Sequence, residues 1–302
     1  MLTIVTDNRG DQINGVVTTY REMAKVADVG VRIVGADLFR GVRAPGQPDI
    51  KLCWPGGLGK YLSEASHIHV ATEGPLGLAA VLWCRERGIP YTSAYHTKFP
   101  EALPGRLRAL ARAYMRWFHG GASACLVTTG AMRDELSEWL GANLVVWARG
   151  VSGDFCPGPA SDGGYLLYVG RVSAEKGLED FLGLEGRKVV VGDGPALKGL
   201  KAKYPDVEWW GWRTGAQLVD AYRGADVFVF PSRWDTYGLV MLEAIACGTP
   251  VAAYPCASQV VGPEQGVLHE DLGIAVEGAR KLGRVSGGQS WNKCWEIFKS
   301  LI

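Results

Sequence analysis

No apolar run in this chain approaches the length of a membrane span, so a bilayer-crossing helix is excluded as an organising feature. Paired cysteines are missing too. The seven cysteines, at 53, 84, 125, 156, 247, 256 and 294, have no paired spacing. Neither a disulfide framework nor a zinc site is expected, and reduced thiols in a cytoplasmic protein are. Excess charge is lacking: a net +1 is too little for non-specific nucleic-acid binding. The chain also lacks solenoid-period repeats and low-complexity tracts. The segment Arg9–Val17 does not have the spacing of the dinucleotide fingerprint, which weakens the case for a Rossmann oxidoreductase. Met1–Val5 reads as a strand and not as a signal peptide.

What remains is an ordinary globular composition, 47% hydrophobic and 21% charged, over 302 residues. That length favours two α/β domains. Strand-like runs in the first half are Leu2–Thr6, Val31–Val34, His67–Ala71, Tyr91–Ser93, Ala124–Val127 and Leu144–Val146. Those in the second half are Tyr165–Val169, Lys188–Val191, Val207–Trp210, Val227–Phe230 and Val251–Ala253. Helical patterns lie between them, including Val16–Val29, Gly77–Arg87, Leu103–Phe118 and Ala131–Leu140. This alternation predicts parallel sheets with crossover helices. Arg149–Pro159, rich in Gly and Pro, reads as the interdomain linker. Through Val151 there are 17 Lys+Arg against 13 Asp+Glu, or +4, and the remainder has 15 against 18, or −3. An anionic surface should therefore meet the first half.

The most informative run is Pro231–Pro250. It follows the apolar strand Val227–Phe230 and reads as a loop and then a helix opening at Gly238. That helix is apolar almost all round, with Glu243 its one charge. A buried carboxylate costs several kcal/mol, roughly, unless something pairs with it. Asp235 lies just ahead, on the carboxyl edge of the sheet, where open α/β folds bind ligands. Two carboxylates and an exposed helix N-terminus point to a polyhydroxylated, anionic ligand.

Other motifs fall at strand ends. Gly170–Gly177 follows Tyr165–Val169 and carries Arg171 and Lys176, two cations able to clamp a diphosphate leaving group. Gly192 and Gly194, in Val191–Pro195, allow backbone to approach a planar or phosphate ligand, and Asp193 is read as a turn residue. Gly15, at the start of the first helix, would offer an N–H to a phosphate. His96 follows a strand and could reach an interdomain cleft, whereas His67 and His69 have no third ligand for a metal. On the Leu103–Phe118 helix, Leu107, Leu110, Ala111, Tyr114, Trp117 and Phe118 fill one arc, with Arg108, Arg112 and Arg116 opposite. That basic stripe either meets acidic lipid headgroups or a nucleic-acid backbone, or is a solvated face of a core helix.

In this order the motifs resemble those of glycosyltransferase family 4. Asp235 through Glu243 is similar to its Glu-x7-Glu signature, with Asp for the first Glu; Gly170–Gly177 is similar to its Gly-Arg…Lys-Gly loop and Val191–Pro195 to its Gly-Asp-Gly-Pro turn. Ala71–Gly77, Tyr95–Pro100 and Ser290–Cys294 resemble the branch of bacterial glycolipid mannosyl- and glucosyltransferases and plant sulfoquinovosyltransferases. The resemblance implies an α/β chain of the GT-B type, two Rossmann-like parallel-sheet domains facing across a cleft. Residues 1–152 would form the acceptor-side domain, with a final helix over 286–302 packing back on it, and 153–285 the nucleotide-sugar domain.

The implied reaction is a retaining transfer of a hexose from a UDP- or GDP-linked donor to a hydroxyl. Arg171, Lys176, Asp235 and His96 would be catalytic. Gly15, Gly170, Gly192, Gly194, Trp212, Gly238, Leu239, Val240 and Glu243 would hold the donor, Glu243 through the ribose. Arg108, Arg112 and Arg116 would face the acceptor: a lipid, a glycan or a hydroxymethylated DNA base. No metal and no cofactor are expected, because the cations and helix dipole stabilise the leaving charge. The expected location is cytoplasmic, with peripheral contact on the inner face of a membrane. The rivals are a nucleotide-sugar epimerase, with only His96 and Glu73 as acid/base candidates, and a non-catalytic nucleotide-sugar-binding module.

Overall fold

The computed structural model describes residues 1–8, 15–44, 47–96, 99–233 and 238–302. It divides into two compact units, Met1–Gly150 with Trp291–Ile302, and Val151–Ser290. Each is built on a six-stranded sheet whose neighbouring strands are all parallel. Short, continuously apolar strands suit such a sheet, because crossover helices cover both faces. Leu2–Val5 and Tyr165–Val169 are buried at every position.

In the first unit the strand order is Val31–Val34, Leu2–Val5, His67–Val70, Tyr91–Tyr95, Ala124–Val127, Leu144–Val146. In the second it is Glu208–Gly211, Lys188–Val191, Tyr165–Val169, Ala225–Phe230, Val251–Ala253, Gly266–Leu268. In each sheet the progression reverses once beside the first strand. The reversal lies between Leu2–Val5 and His67–Val70 in one unit, and between Tyr165–Val169 and Ala225–Phe230 in the other. Loops leaving opposite faces there open a crevice at the carboxyl ends, where such sheets take ligands.

Both units are the Rossmann-like halves that the alternation predicted. The last strand, Gly266–Leu268, and the antiparallel pair Gly41–Ala44 and Gln47–Cys53 were not predicted. The closing helix, Trp291–Lys299, buries Trp291, Cys294, Trp295 and Phe298 beside Tyr20 and Trp147 of the first unit. Trp147 Nε1 donates to the Cys294 carbonyl at 2.9 Å, and Trp295 Nε1 to Asp28 Oδ1 at 2.9 Å.

The arginine helix corrects the sequence reading. It runs Gly105–Gly120 and buries Ala111, Met115, Phe118 and His119. Of the arc read from the sequence, Ala111 and Phe118 are buried, whereas Leu107, Leu110 and Trp117 are 54%, 68% and 40% exposed. The arginines are tied down instead. Arg112 makes a forked bond to Glu101 Oε1, at 3.1 and 2.7 Å, and Arg108 Nε donates to the Leu103 carbonyl at 3.1 Å. Arg116 Nε donates to the Trp139 carbonyl at 2.8 Å. The core contacts recur at helical spacing along a face rotated from the leucine stripe, so the apolar ridge faces out.

Candidate active site

The crevice of the second unit brings the sequence motifs together. Gly170 and Arg171 continue the Tyr165–Val169 strand, while Pro231 and Ser232 continue Ala225–Phe230, its neighbour across the reversal. Gly177, in a left-handed conformation at φ 64°, ends the Ala174–Lys176 turn and lies against Pro231: a Cβ there would come within 2.6 Å of the Pro231 carbonyl. The cation loop is thereby held on the loop that leads to Gly238. Arg171 is exposed and Lys176 half-buried. Their local counter-charge is Glu175. The Ser173 hydroxyl at 2.6 Å and, to a smaller degree, Arg171 and Lys176 hold its carboxyl below the ordinary range.

Gly170 and Gly192, at φ 154° and 143°, sit in turns with no room for a side chain: a Cβ on Gly170 would lie 2.8 Å from the Tyr168 hydroxyl. A Cβ on Gly192 would lie 1.9 Å from the Gly170 carbonyl oxygen, and one on Gly194 2.3 Å from that of Val172. Backbone bonds join the two turns, Gly170 N to Val191 O at 3.0 Å and Val172 N to Asp193 O at 2.9 Å. Asp193 closes its own turn by accepting from Gly194 N at 2.7 Å. We expect Gly192→Ala to lose about 1–3 kcal/mol of stability, measured as a drop in the thermal unfolding midpoint, because the residue must leave a glycine-only conformation and a backbone contact.

Gly238 caps the eight-residue helix Leu239–Ala246. Its first N–H groups, those of Leu239 and Val240, have no intrahelical acceptor, and its cap residue, a glycine, supplies no side-chain hydrogen bond to them. Glu243 sits one turn in, half-buried, and accepts from the Tyr222 hydroxyl through Oε2 at 2.8 Å. That hydroxyl is the partner that burial demands. Burial still dominates and pushes the Glu243 carboxyl up to about 7. Oε1 has no partner among the described residues, so it is available to a hydroxyl donor. Trp212, past the Glu208–Gly211 strand, is exposed. Asp235 falls outside the described residues, as do Asn14 and the rest of Arg9–Asn14 and Thr97–Lys98.

The first unit differs at the equivalent place. The start of its Pro75–Glu86 helix is filled by the chain itself. Asp7 accepts from Leu76 N at 2.7 Å, from Gly77 N at 3.4 Å and from the Thr72 hydroxyl at 2.7 Å. Burial raises the Asp7 carboxyl, with these bonds pulling it back. A resident carboxylate takes the position that a phosphate would need. Of the two crevices, the one in the second unit is therefore suited to an anion.

His96 is buried in the first unit, and both of its ring nitrogens are engaged. Nε2 lies 3.0 Å from the Tyr20 hydroxyl and Nδ1 3.3 Å from Arg149 Nη2. Burial, and then the Arg149 charge, hold its pKa well below the ordinary value. Gly15 begins the Gly15–Val26 helix as expected, but the space above its Cα holds Arg149, whose Nη1 would be 2.8 Å from a Cβ. Glu73 lies 3.3 Å from the buried His119 Nε2. The sequence reading missed Arg149, Tyr20, Asp7 and Tyr222. Arg149 was hidden in a Gly/Pro-rich stretch that looks like solvated linker, yet it is 6% exposed.

Residues 8–155 match a family described as Glycosyltransferase Family 4, and residues 163–282 one described as Glycosyl transferases group 1. A GDP-mannose-dependent alpha-mannosyltransferase of Corynebacterium glutamicum is 33% identical over 205 residues, which is 61% of this chain and 49% of the relative. A sulfoquinovosyl transferase of Arabidopsis thaliana is 28% identical over 276 residues, 81% of this chain and 53% of the relative. An alpha-monoglucosyldiacylglycerol synthase of Streptococcus pneumoniae is 28% identical over 229 residues, 62% of this chain and 51% of the relative. The chain thus spans about half the length of these curated relatives. Among solved structures, a sucrose-phosphate synthase from Thermosynechococcus elongatus aligns over 99% of this chain and 94% of its own, with a TM-score of 0.72 at 20% identity. That is a likeness of fold.

Proposed function

Because this chain belongs to the family 4 glycosyltransferases, with the GT-B fold class, we propose that it moves a hexose from a UDP- or GDP-linked donor to a hydroxyl acceptor, with retention. The observation that carries this reading is the crevice of the second unit: two cations, a helix start without a side-chain cap, and a half-buried carboxylate with one oxygen unpartnered among the described residues.

Each group then has a chemical task. Glu243 would accept from the ribose hydroxyls through Oε1, with Tyr222 fixing the other oxygen. Arg171, Lys176 and the N–H groups of Leu239 and Val240 would face the diphosphate. Their attraction grows as the glycosidic bond breaks and negative charge collects on the leaving oxygens, which lowers the barrier rather than merely tightening binding. Asp235 would touch the donor sugar. The leaving phosphate would take the acceptor's proton, so no separate base is needed, and the cations replace a metal.

For the acceptor we propose a lipid or glycolipid. Supporting this are a relative named as an alpha-monoglucosyldiacylglycerol synthase and an apolar ridge on the first unit. The residues in contact would be Leu107, Leu110 and Trp117 rather than the tied arginines. Replacing Leu107 and Leu110 by Ser should weaken binding to anionic phospholipid vesicles by about tenfold or more in a flotation assay, given about 25 cal/mol per Å² of apolar surface. Unchanged flotation would count against the lipid contact. The whole reading is tested by incubating the chain with UDP-glucose or GDP-mannose and diacylglycerol vesicles, and looking for glycosylated lipid by mass spectrometry.

A further inference from the structure

A buried chain of side chains crosses the first unit's sheet from Arg149 to His67. Arg149 Nη2 contacts His96 Nδ1 at 3.3 Å, His96 Nε2 contacts the Tyr20 hydroxyl at 3.0 Å, and that hydroxyl contacts His69 Nε2 at 2.7 Å. His69 Nδ1 then meets the Thr92 hydroxyl at 2.8 Å, and the same hydroxyl meets His67 Nε2 at 3.0 Å. Nothing in the transfer chemistry described above uses Tyr20, His69 or Thr92.

The direction of every bond follows from one fact: a guanidinium can only donate. His96 Nδ1 must therefore accept, so its proton is on Nε2 and is given to the Tyr20 oxygen. The Tyr20 O–H is left to donate to His69 Nε2. His69 consequently carries its proton on Nδ1 and gives it to Thr92, whose own O–H donates to His67 Nε2. The three imidazoles must be neutral for this order to hold, and burial supplies that. It lowers the pKa of His69 to about 3 and of His67 to about 4, and pushes the Tyr20 hydroxyl well above its ordinary value.

We propose that Tyr20, His69 and Thr92 are positioning residues: through His96 in a single tautomer they fix the direction in which Arg149 presents its guanidinium at the first residue of the Gly15–Val26 helix. This rests on the glycosyltransferase reading for its functional consequence. The guanidinium stands at the carboxyl edge of the first unit's sheet, where a substrate oxygen would be received. Gly15 belongs to the same device. Its Cα leaves room for Nη1, and a methyl there would push a flexible side-chain end aside rather than backbone.

The test uses the full chain with 15N-labelled histidine. At pH 7, ring-nitrogen NMR should show opposite tautomers, Nε2–H at His96 and Nδ1–H at His69. In Tyr20→Phe and Gly15→Ala, both correctly folded by circular dichroism, that opposition should be lost. Turnover of whichever of UDP-glucose and GDP-mannose is used should fall by about tenfold to a hundredfold, as for a misplaced group. In Tyr20→Phe, affinity for the nucleotide, which the second unit would hold, should be unchanged, and Tyr20→His should restore nothing. Equal tautomers at His96 and His69, or a charged His96, in the wild type would overturn the ordered chain whatever the activity. Opposite tautomers that vanish in the variants with turnover unaltered would overturn the positioning role. A chain with the predicted tautomers and no turnover of either donor would instead mark failure of the glycosyltransferase reading.

Discussion

Replacing Arg171 and Lys176 together by Gln should lower turnover by about a hundredfold to a thousandfold, the range seen when an oxyanion donor is removed from a preorganised site. Donor affinity should fall less. Both cations stand on a loop held against Pro231 by Gly177, so their places are set before a ligand arrives. Groups fixed in advance favour the state in which charge has moved onto the leaving diphosphate over the state in which it has not. The measurement is steady-state nucleotide release in EDTA, with the dissociation constant for the nucleotide measured separately by calorimetry. A loss confined to affinity, with turnover at saturation intact, would mean that the two cations bind the ground state only.

Glu243→Gln should weaken nucleotide binding by about tenfold or more, because hydrogen bonds to a charged acceptor are worth about 1.5–3 kcal/mol. The effect carries a pH signature. Burial places the free carboxyl at about 7. Ribose hydroxyls donate to the ionised form, so binding should lower that value and should release a proton whenever Glu243 starts protonated. Affinity should therefore rise from pH 6 to pH 8 and level off above, with a slope approaching tenfold per unit on the acid side. For stability the sign is opposite. A carboxyl whose folded pKa is raised stabilises the fold below its unfolded pKa, near 4.5, and that contribution is lost as pH rises through 7. Ligand-free unfolding should thus be easier at pH 8 than at pH 6, while nucleotide binding is tighter. In Glu243→Gln both dependences should flatten. Equal nucleotide affinity at the two pH values in the wild type would remove Glu243 from the site.

Much of this site was legible in the sequence because its determinants are local. A strand, a cation loop and a helix start are contiguous in Tyr165–Gly177 and in Val227–Glu243, and the strand order needs only the alternation of elements to bring their ends together. What stayed hidden depends on distant partners or on helix rotation. The Arg149–His67 chain joins one helix, two strands and two strand-end loops between Tyr20 and Arg149, and no local pattern links its members. Asp7 closes a helix that begins at Pro75. The Gly105–Gly120 helix has two apolar stripes, one through Leu107, Leu110, Tyr114 and Trp117 and one through Ala111, Met115 and Phe118. Periodicity cannot say which faces the core, and the arc read from the sequence took in members of both, the buried Ala111 and Phe118 with the exposed Leu107, Leu110 and Trp117. The antiparallel pair Gly41–Ala44 and Gln47–Cys53 and the three-residue edge strand Gly266–Leu268 are too short or too polar to show a strand period.

The central claim, that the second unit's crevice takes a nucleoside diphosphate through its own cations and helix start, is tested most directly by titrating UDP and GDP into the chain in EDTA by calorimetry. The expected result is one saturable site for at least one nucleotide, tighter at pH 8 than at pH 6, and weakened tenfold or more, roughly, in the Arg171/Lys176 and Glu243 variants. Binding that is absent in EDTA and restored by manganese, or that is indifferent to all three substitutions, would contradict it.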